Sequence, residues 1–260
     1  MRLKLTLEYA GTRYSGWQVQ QNARTVQGEV EKAIQEASGS EQFELYASGR
    51  TDAGVHALGQ VAHLEIRGHL PPETFRRRIN DVLPSDIHVL RVEPAPPRFH
   101  ARHDAVARSY IYQIARRRTA FAKPFVWWLK EDCDADRMRE AARAFVGFHD
   151  FRAFSDDDPR AKSTTVHLES FDVHEDEDLI VLHVEASHFL WKMVRRLVGV
   201  LAVVGKNEMT GPEAAALFEA DPKTVAPLTA PASGLFLERV YYKNDPRDAP
   251  LRGAVRIAHP

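Results

Sequence analysis

One short segment combines residue types that chemistry needs with glycines that could display them: Gly49-Arg50-Thr51-Asp52-Ala53-Gly54-Val55-His56-Ala57. Gly49 and Gly54, five residues apart, allow a tight turn with positive φ. Such a turn can lift one side chain clear of a sheet while the backbone stays fixed. Asp52 sits at its centre, flanked by Arg50 and Thr51. A carboxylate displayed there can act as a nucleophile or a general base. The same placement also suits a structural use, an Asx-turn in which Asp52 accepts a hydrogen bond from a nearby backbone N–H. Composition alone favours that use in a Gly-rich turn.

Several other chemistries lack their residues. There is no Gly-rich phosphate loop ending in Gly-Lys-Ser/Thr and no dinucleotide fingerprint. Cys133 is the single cysteine, so an internal disulfide and the paired-cysteine ligand set of a zinc deaminase are both excluded. The twelve histidines contain no His-Glu-x-x-His helix, and they read as ordinary surface or capped residues, with no metal expected.

The elements that must position Asp52 follow from periodicity. Leu3, Leu5, Leu7 and Tyr9 alternate with polar residues and predict a half-buried strand. Thr25 can cap a helix with Val26, Val30, Ala33 and Ile34 on its apolar face. Phe43–Ala47 and Gln60–Ile66 read as strands on either side of the Asp52 turn, Phe75, Ile79 and Val82 as a second helix, and Ile87–Val92 as a further strand. Glu93-Pro94-Ala95-Pro96-Pro97 cannot continue a helix or a central strand and marks a crossover between two halves. The second half repeats the style. It has a strand at Arg108–Ala115, a helix capped by Asp134, a hairpin of Phe171–Val173 and Leu179–Glu185 around an acidic turn, and a strong helix at Phe189–Val204. A short helix opened by Thr210-Gly211-Pro212 and closed by Asp221-Pro222 comes next, then a last strand at Leu235–Tyr242.

Strands flanked by helices without strict alternation predict an α+β fold of two similar halves, with mainly antiparallel sheets. The expected organisation is an N-terminal half over 1–105, a C-terminal half over 106–245 and a loosely held tail over 246–260.

Composition fits a soluble globular protein. Of the 260 residues 44% are hydrophobic, including 13 Phe and 4 Trp, so a core can be buried, and charges of both signs argue against disorder. The N-terminus has no apolar block of the signal-peptide kind, and Val198–Val204 is too short to span a bilayer. The expected compartment is the cytoplasm, with no membrane partner. A net charge of −1 gives little reason to expect a nucleic-acid partner, but the distribution does. Arginines 98, 102, 108, 116, 117 and 118 accompany one acid, Asp104, and Lys192, Arg195, Arg196 and Lys206 accompany none. Arg76-Arg77-Arg78 forms a third cluster, while acids gather at 156–158 and 172–178. Segregation of this kind can make a basic face on a neutral protein.

The segment around Asp52 resembles the signature of the TruA family of tRNA pseudouridine synthases. The resemblance extends along the chain. Tyr9-x-Gly11-x-x-Tyr14-x-Gly16-Trp17-Gln18-x-Gln20 is similar to that family's opening motif. Phe99-His100-Ala101-Arg102 and Ala107-Arg108-Ser109-Tyr110-x-Tyr112 are similar to its middle motif. Phe189-Leu190-Trp191-Lys192-Met193-Val194-Arg195, with Val198-Gly199, resembles its late helix, and Gly234-Leu235-Phe236-Leu237 its final strand.

The resemblance implies a cofactor-free isomerase that detaches uracil from ribose, rotates it and rejoins it through C5. It implies that Asp52 is the essential carboxylate, for which attack at C1′, addition at C6 and removal of a ribose proton are all open as the first step. It further implies that a catalytic cleft lies between the two halves, that Arg195 lies beside that carboxylate, that Tyr110 stacks on the target base, that Arg50 stands in for the flipped nucleotide and that Leu235 lies against the uracil edge. The substrate implied is the anticodon stem-loop of tRNA at positions 38, 39 and 40, and the assembly a homodimer in which one tRNA contacts both subunits. Two other functions use some of the same residues. One is a non-catalytic tRNA-binding protein. The other is a metal-dependent RNA hydrolase drawing on the carboxylates at 172–178, a run that reads instead as an exposed hairpin turn.

Overall fold

The alternation of Leu3, Leu5 and Leu7 with polar residues becomes strand β1 (Arg2–Tyr9) in the computed structural model, with all three leucines fully buried. The structure describes residues 1–68, 71–247 and 252–257. Among these are ten β-strands and six α-helices, and the strands pair mainly antiparallel. This is the α+β class expected. The chain divides into two compact units, one of Met1–Val106 with Leu237–Asp245 and the other of Ala107–Phe236 with Pro246–Pro260.

In the first unit, β1 is followed by α1 (Val26–Ser38), β2 (Phe43–Ala47), β3 (His56–Ile66), α2 (Pro72–Val82) and β4 (Ile87–Pro94). Strand β10 (Leu235–Tyr242) contributes its last six residues to this unit, giving the order β4-β1-β3-β10 with β2 also paired to β3. Thr25 caps α1 by accepting from the Gly28 N–H at 3.3 Å, and Val26, Val30, Ala33 and Ile34 are buried as expected. Strand β4 runs through Pro94, opposite Leu3, at the outer edge of the sheet, where the missing N–H costs no ladder bond.

Strand β3 departs from simple alternation. Ala62, Leu64 and Ile66 are buried with Gln60 on one face, but so are Val61 and His63 on the opposite face. His63 lies there because its Nδ1 accepts the Ala101 N–H at 3.1 Å and its ring stacks on Tyr46, centroids 5.3 Å apart. Burial pushes the His63 pKa down to about 4, helped by His100 and Arg2 and opposed by Glu65 and Asp104. An unfolded histidine titrates near ~6.5. Between those values the unfolded chain binds the extra proton, so stability is present above the unfolded pKa and is lost as pH falls towards the folded one. Thermal unfolding from pH 7 down to pH 5 should therefore show Tm falling more steeply in the wild type than in His63→Gln. Parallel slopes would assign the pH dependence elsewhere.

In the second unit, β5 (Ala105–Ala115), β6 (Trp127–Trp128), α3 (Ala135–Ala142), β7 (Gly147–Asp150), β8 (Thr165–Asp176) and β9 (Leu179–Ala186) precede α4 (Met193–Gly205), α5 (Gly211–Ala216) and α6 (Pro222–Val225). The strand order is β5-β9-β8-β7, with β6 parallel to β5. Asp134 caps α3 by accepting from the N–H groups of Asp136 and Arg137, and Met138, Ala141, Ala142 and Phe145 are buried. The hairpin is longer than expected, turning at Glu177-Asp178 with Glu177 at φ 54°.

Three expectations change in this unit. Helix α4 starts at Met193 rather than Phe189, because Lys192 is left-handed at φ 64° and the peptide groups of Trp191 bond to residues 155–157. Asp221 opens α6 by accepting from the Lys223 N–H, rather than closing the preceding helix. The tail is held over the part described. Arg247 pairs with Glu169 and Glu185, the Val255 N–H donates to Gln113 Oε1 at 3.0 Å, and Ile257 is buried. Residues 248–251 and 258–260 lie outside the described residues.

The basic runs are also less free than their sequence suggests. Arg116 and Arg117 pair with Glu175 and Asp178 of the acidic hairpin, and Arg196 and Lys192 pair with Asp156. Among the described residues no helix is long and apolar enough to cross a membrane.

Candidate active site

The Asp52 turn is built from both flanks. β2 ends at Ala47 and β3 begins at His56, so residues 48–55 must cross between two paired strands. The Asp52 carbonyl accepts the Val55 N–H at 3.1 Å, and Gly54 stands in the third position at φ 79°. That sign of φ defines a type II turn and explains the second glycine. Asp52 is half-buried, Thr51 is buried and Arg50 is exposed.

Side chains fix the start of this loop. Tyr9 OH and Thr51 Oγ1 lie 2.8 Å apart. Gln60 Nε2 donates to the Gly49 carbonyl at 3.1 Å and to Tyr9 OH at 3.4 Å, and Ser48 Oγ donates to Gln60 Oε1 at 2.8 Å. Burial pushes the Tyr9 phenol up to about 12, with Thr51 and Gln60 opposing, so it stays protonated and can donate. Sequence reading took Gln60 only as a strand residue. Nothing in the alternation of β3 signals a buried amide that serves a loop eleven residues away.

The opening motif braces the same turn. The Trp17 N–H donates to the Thr51 carbonyl at 3.0 Å and the Gly54 N–H to the Tyr14 carbonyl at 3.3 Å. The Gly11 N–H donates to His56 Nδ1 at 3.0 Å. A Cβ on Gly11 would overlap the Val55 carbonyl, and one on Gly16 (φ 91°) would stand 2.6 Å from the Thr51 carbonyl oxygen. Main chain lies directly on main chain at both places, which only glycine permits. The turn therefore holds the Asp52 main chain in one position. That is the preorganisation a reacting carboxylate needs.

The second unit carries the other expected residues. Arg195 is half-buried on the first turn of α4. Its Nε donates to the Ala230 carbonyl at 2.7 Å and its own carbonyl accepts the Ala230 N–H at 3.0 Å. Gly199 lets the Leu228–Ala230 segment pass against the helix, since a Cβ there would overlap the Leu228 carbonyl. Tyr110 is half-buried on β5, and its ring meets Phe189 edge-on with centroids 5.0 Å apart. Tyr112, on the same strand face, is 1% exposed and donates to the Pro231 carbonyl at 2.8 Å, so it belongs to the core. Burial pushes its phenol up, and the charge of Arg195 lowers it in part. Leu235, 5% exposed, opens β10 directly after Gly234, whose missing Cβ leaves room for the Tyr112 ring. Asp52 and Arg50 thus belong to the first unit, and Arg195, Tyr110 and Leu235 to the second.

A carboxylate braced on a glycine-bracketed turn, in a chain whose second unit anchors an arginine and a half-buried tyrosine, is the equipment of an enzyme. The sequence pattern of a family described as tRNA pseudouridine synthase matches residues 6–104 and 141–243. The chain belongs to that family, a family of tRNA-uridine isomerases. Curated relatives narrow the likeness. The chain is 40% identical over 245 residues to tRNA pseudouridine synthase A of Rhodopseudomonas palustris, covering 93% of this chain and 99% of the relative. The protein of the same name from Bartonella tribocorum is 39% identical over 246 residues, with 93% and 99% covered. tRNA pseudouridine synthase A 2 of Clostridium tetani is 35% identical over 244 residues, with 92% and 98% covered. Among solved structures, a chain from a Cbf5-Nop10-Gar1 complex aligns at TM-score 0.41 and 12% identity, covering 78% of this chain and 45% of its own, and the family assignment rests on none of it.

Proposed function

We propose that this chain converts uridine to pseudouridine at positions 38, 39 and 40 of the anticodon stem-loop of tRNA, with Asp52 as the essential carboxylate. The observation that carries the reading is the Asp52 turn. Five residues of the opening motif (Tyr9, Gly11, Tyr14, Gly16 and Trp17) brace it, and Asp52 is half-buried. The reaction breaks the N1–C1′ bond, forms a C5–C1′ bond and releases the C5 proton to solvent, while N1 takes up a proton in exchange. Substrate and product are isomers, so residues that bind, orient and move a proton suffice and no cofactor is required.

Asp52 must stay ionised beneath a bound substrate, where desolvation raises a carboxylate's pKa and a nearby cation opposes the rise. Arg195 supplies that cation. Tyr110, with Phe189 against its edge, stacks on the target base, and Leu235 packs on the uracil edge. Arg50 fills the place the flipped nucleotide leaves, since a base in a stem is unreachable until it leaves the stack. The remaining arginines track phosphates, two copies of the chain share a tRNA, and the cytoplasm supplies it.

The test is release of tritium from tRNA labelled at uridine C5, without added metal or cofactor, followed by mapping of the new pseudouridines. Absence of release from any tRNA would refute the function, and modification elsewhere would refute the site. In the same assay Arg195→Met should lower kcat at least about tenfold, the lower end of what a positioned charge contributes, with tRNA affinity changed far less. Equal losses in both would make Arg195 a phosphate contact.

A further inference from the structure

We propose that Trp191 is a stacking platform for an unpaired base of the tRNA, held in position by the loop Ser155-Asp156-Asp157. The inference rests on tRNA being the substrate. Trp191 lies four residues before Arg195 and is the most exposed of the chain's four tryptophans, at 52%. Its main chain is fixed on both sides. The N–H donates to Asp157 Oδ2 at 2.8 Å, and the carbonyl accepts from Ser155 Oγ at 3.2 Å and from the Asp156 N–H at 3.3 Å. An indole with an anchored backbone and an open face loses little further entropy when a base lands on it, the condition for a productive platform.

The clamp is itself costly, which argues for a use. Arg196 is 2% exposed and pairs with Asp156, yet its Nε and Nη1 have no hydrogen-bond partner among the described residues. A buried guanidinium with unmet N–H groups is usually bettered by an apolar side chain. Its service here is to hold Asp156, with Lys192 Nζ at 2.6 Å from the other carboxylate oxygen. Burial pushes the Asp156 carboxyl up, but Lys192 and Arg196 together hold it below its ordinary value. Asp157 is held in turn by Lys162 at 2.8 Å and by Ser155 Oγ, which accepts its N–H at 2.9 Å.

The surroundings favour a nucleic acid over a protein partner. Lys192 Nζ lies 5.0 Å from the Trp191 ring centroid. Nearby in the chain Leu190 is buried, and the clamp residues are polar or charged. A cation at one aromatic face matches a base with its phosphate.

Unmodified tRNA binding and tritium-release kinetics should be compared for the wild type, Trp191→Ala and Trp191→Phe, with sedimentation as a third readout. Trp191→Ala should raise both Kd and KM roughly tenfold or more, in line with the worth of one stacked base, with kcat at saturation within about twofold. Trp191→Phe should recover most of the loss. Kd and KM within twofold of wild type in Trp191→Ala would overturn the proposal, as would a changed sedimentation coefficient with intact tRNA affinity, which would make Trp191 a contact between copies. Wild-type protein that binds tRNA but releases no tritium would instead defeat the catalytic reading, and the binding comparison would still test Trp191.

Discussion

Asp52→Asn is expected to abolish turnover, lowering the rate of tritium release by about 10⁴-fold or more, the upper range for loss of an essential proton-transfer or nucleophilic group. Affinity for tRNA and Tm should change little. Asparagine has nearly the same shape, and several bonds that hold the turn come from neighbours or from main chain. The Asp52 carbonyl still accepts the Val55 N–H, Thr51 still meets Tyr9, and Gly54 keeps its positive φ. The substitution therefore removes charge, basicity and nucleophilicity while the frame stays. Single-turnover rates beside a filter-binding Kd make the measurement, and an active Asn variant would take Asp52 out of the chemistry.

Gly199→Ala is the corresponding test of the second unit and should carry the largest cost in stability. A Cβ at 199 would overlap the Leu228 carbonyl oxygen, stand 2.7 Å from its carbon and come within 3.3 Å of the Ala230 nitrogen. Neither neighbour is a flexible side chain. Helix α4 is buried on nearly every side, so it cannot swing away. Overpacking of this kind costs about 1–3 kcal/mol and can exceed it, and about 3 kcal/mol lowers Tm by roughly 6–12 °C in a chain of this size. The displaced segment includes Ala230, whose carbonyl and N–H both bond Arg195, so kcat should fall as well. Circular dichroism melting with kinetics at a temperature where both proteins are folded would separate the effects. An unchanged Tm would show that the 228–230 segment yields freely.

Much of this was legible because it is local. The alternation of β1, the Thr25 and Asp134 caps and the extent of β10 depend on residues near one another in sequence, and each fell where periodicity placed it. The misplaced helix start had a long-range cause. Phe189 has the apolar spacing of a first helical turn, but the peptide groups that would complete that turn are occupied by a loop 34 residues earlier. The charge runs failed for a similar reason, since Arg116 and Arg117 meet their acids 59 and 61 residues away. The turn around Asp52 was readable from its glycines, while a chemical role for Asp52 came only from the resemblance to a family. The function of Gly11 and Gly16 was not readable, because a glycine carries no sign of what approaches it.

The first unit is discontinuous, and that bears on how the protein is made. Leu237–Asp245 belongs to the fold of residues 1–106, where Gly59 is the point at which β3 admits Glu238 and where Tyr242 donates to the Ala101 carbonyl under Lys4. A ribosome adds about 5–20 residues per second, so the nascent N-terminal unit waits roughly ten seconds for its last strand, with the flank of β3 away from β1 paired only to β2 over Ala62–Ile66. The carboxylate turn is thus made long before the strand that completes the unit carrying it.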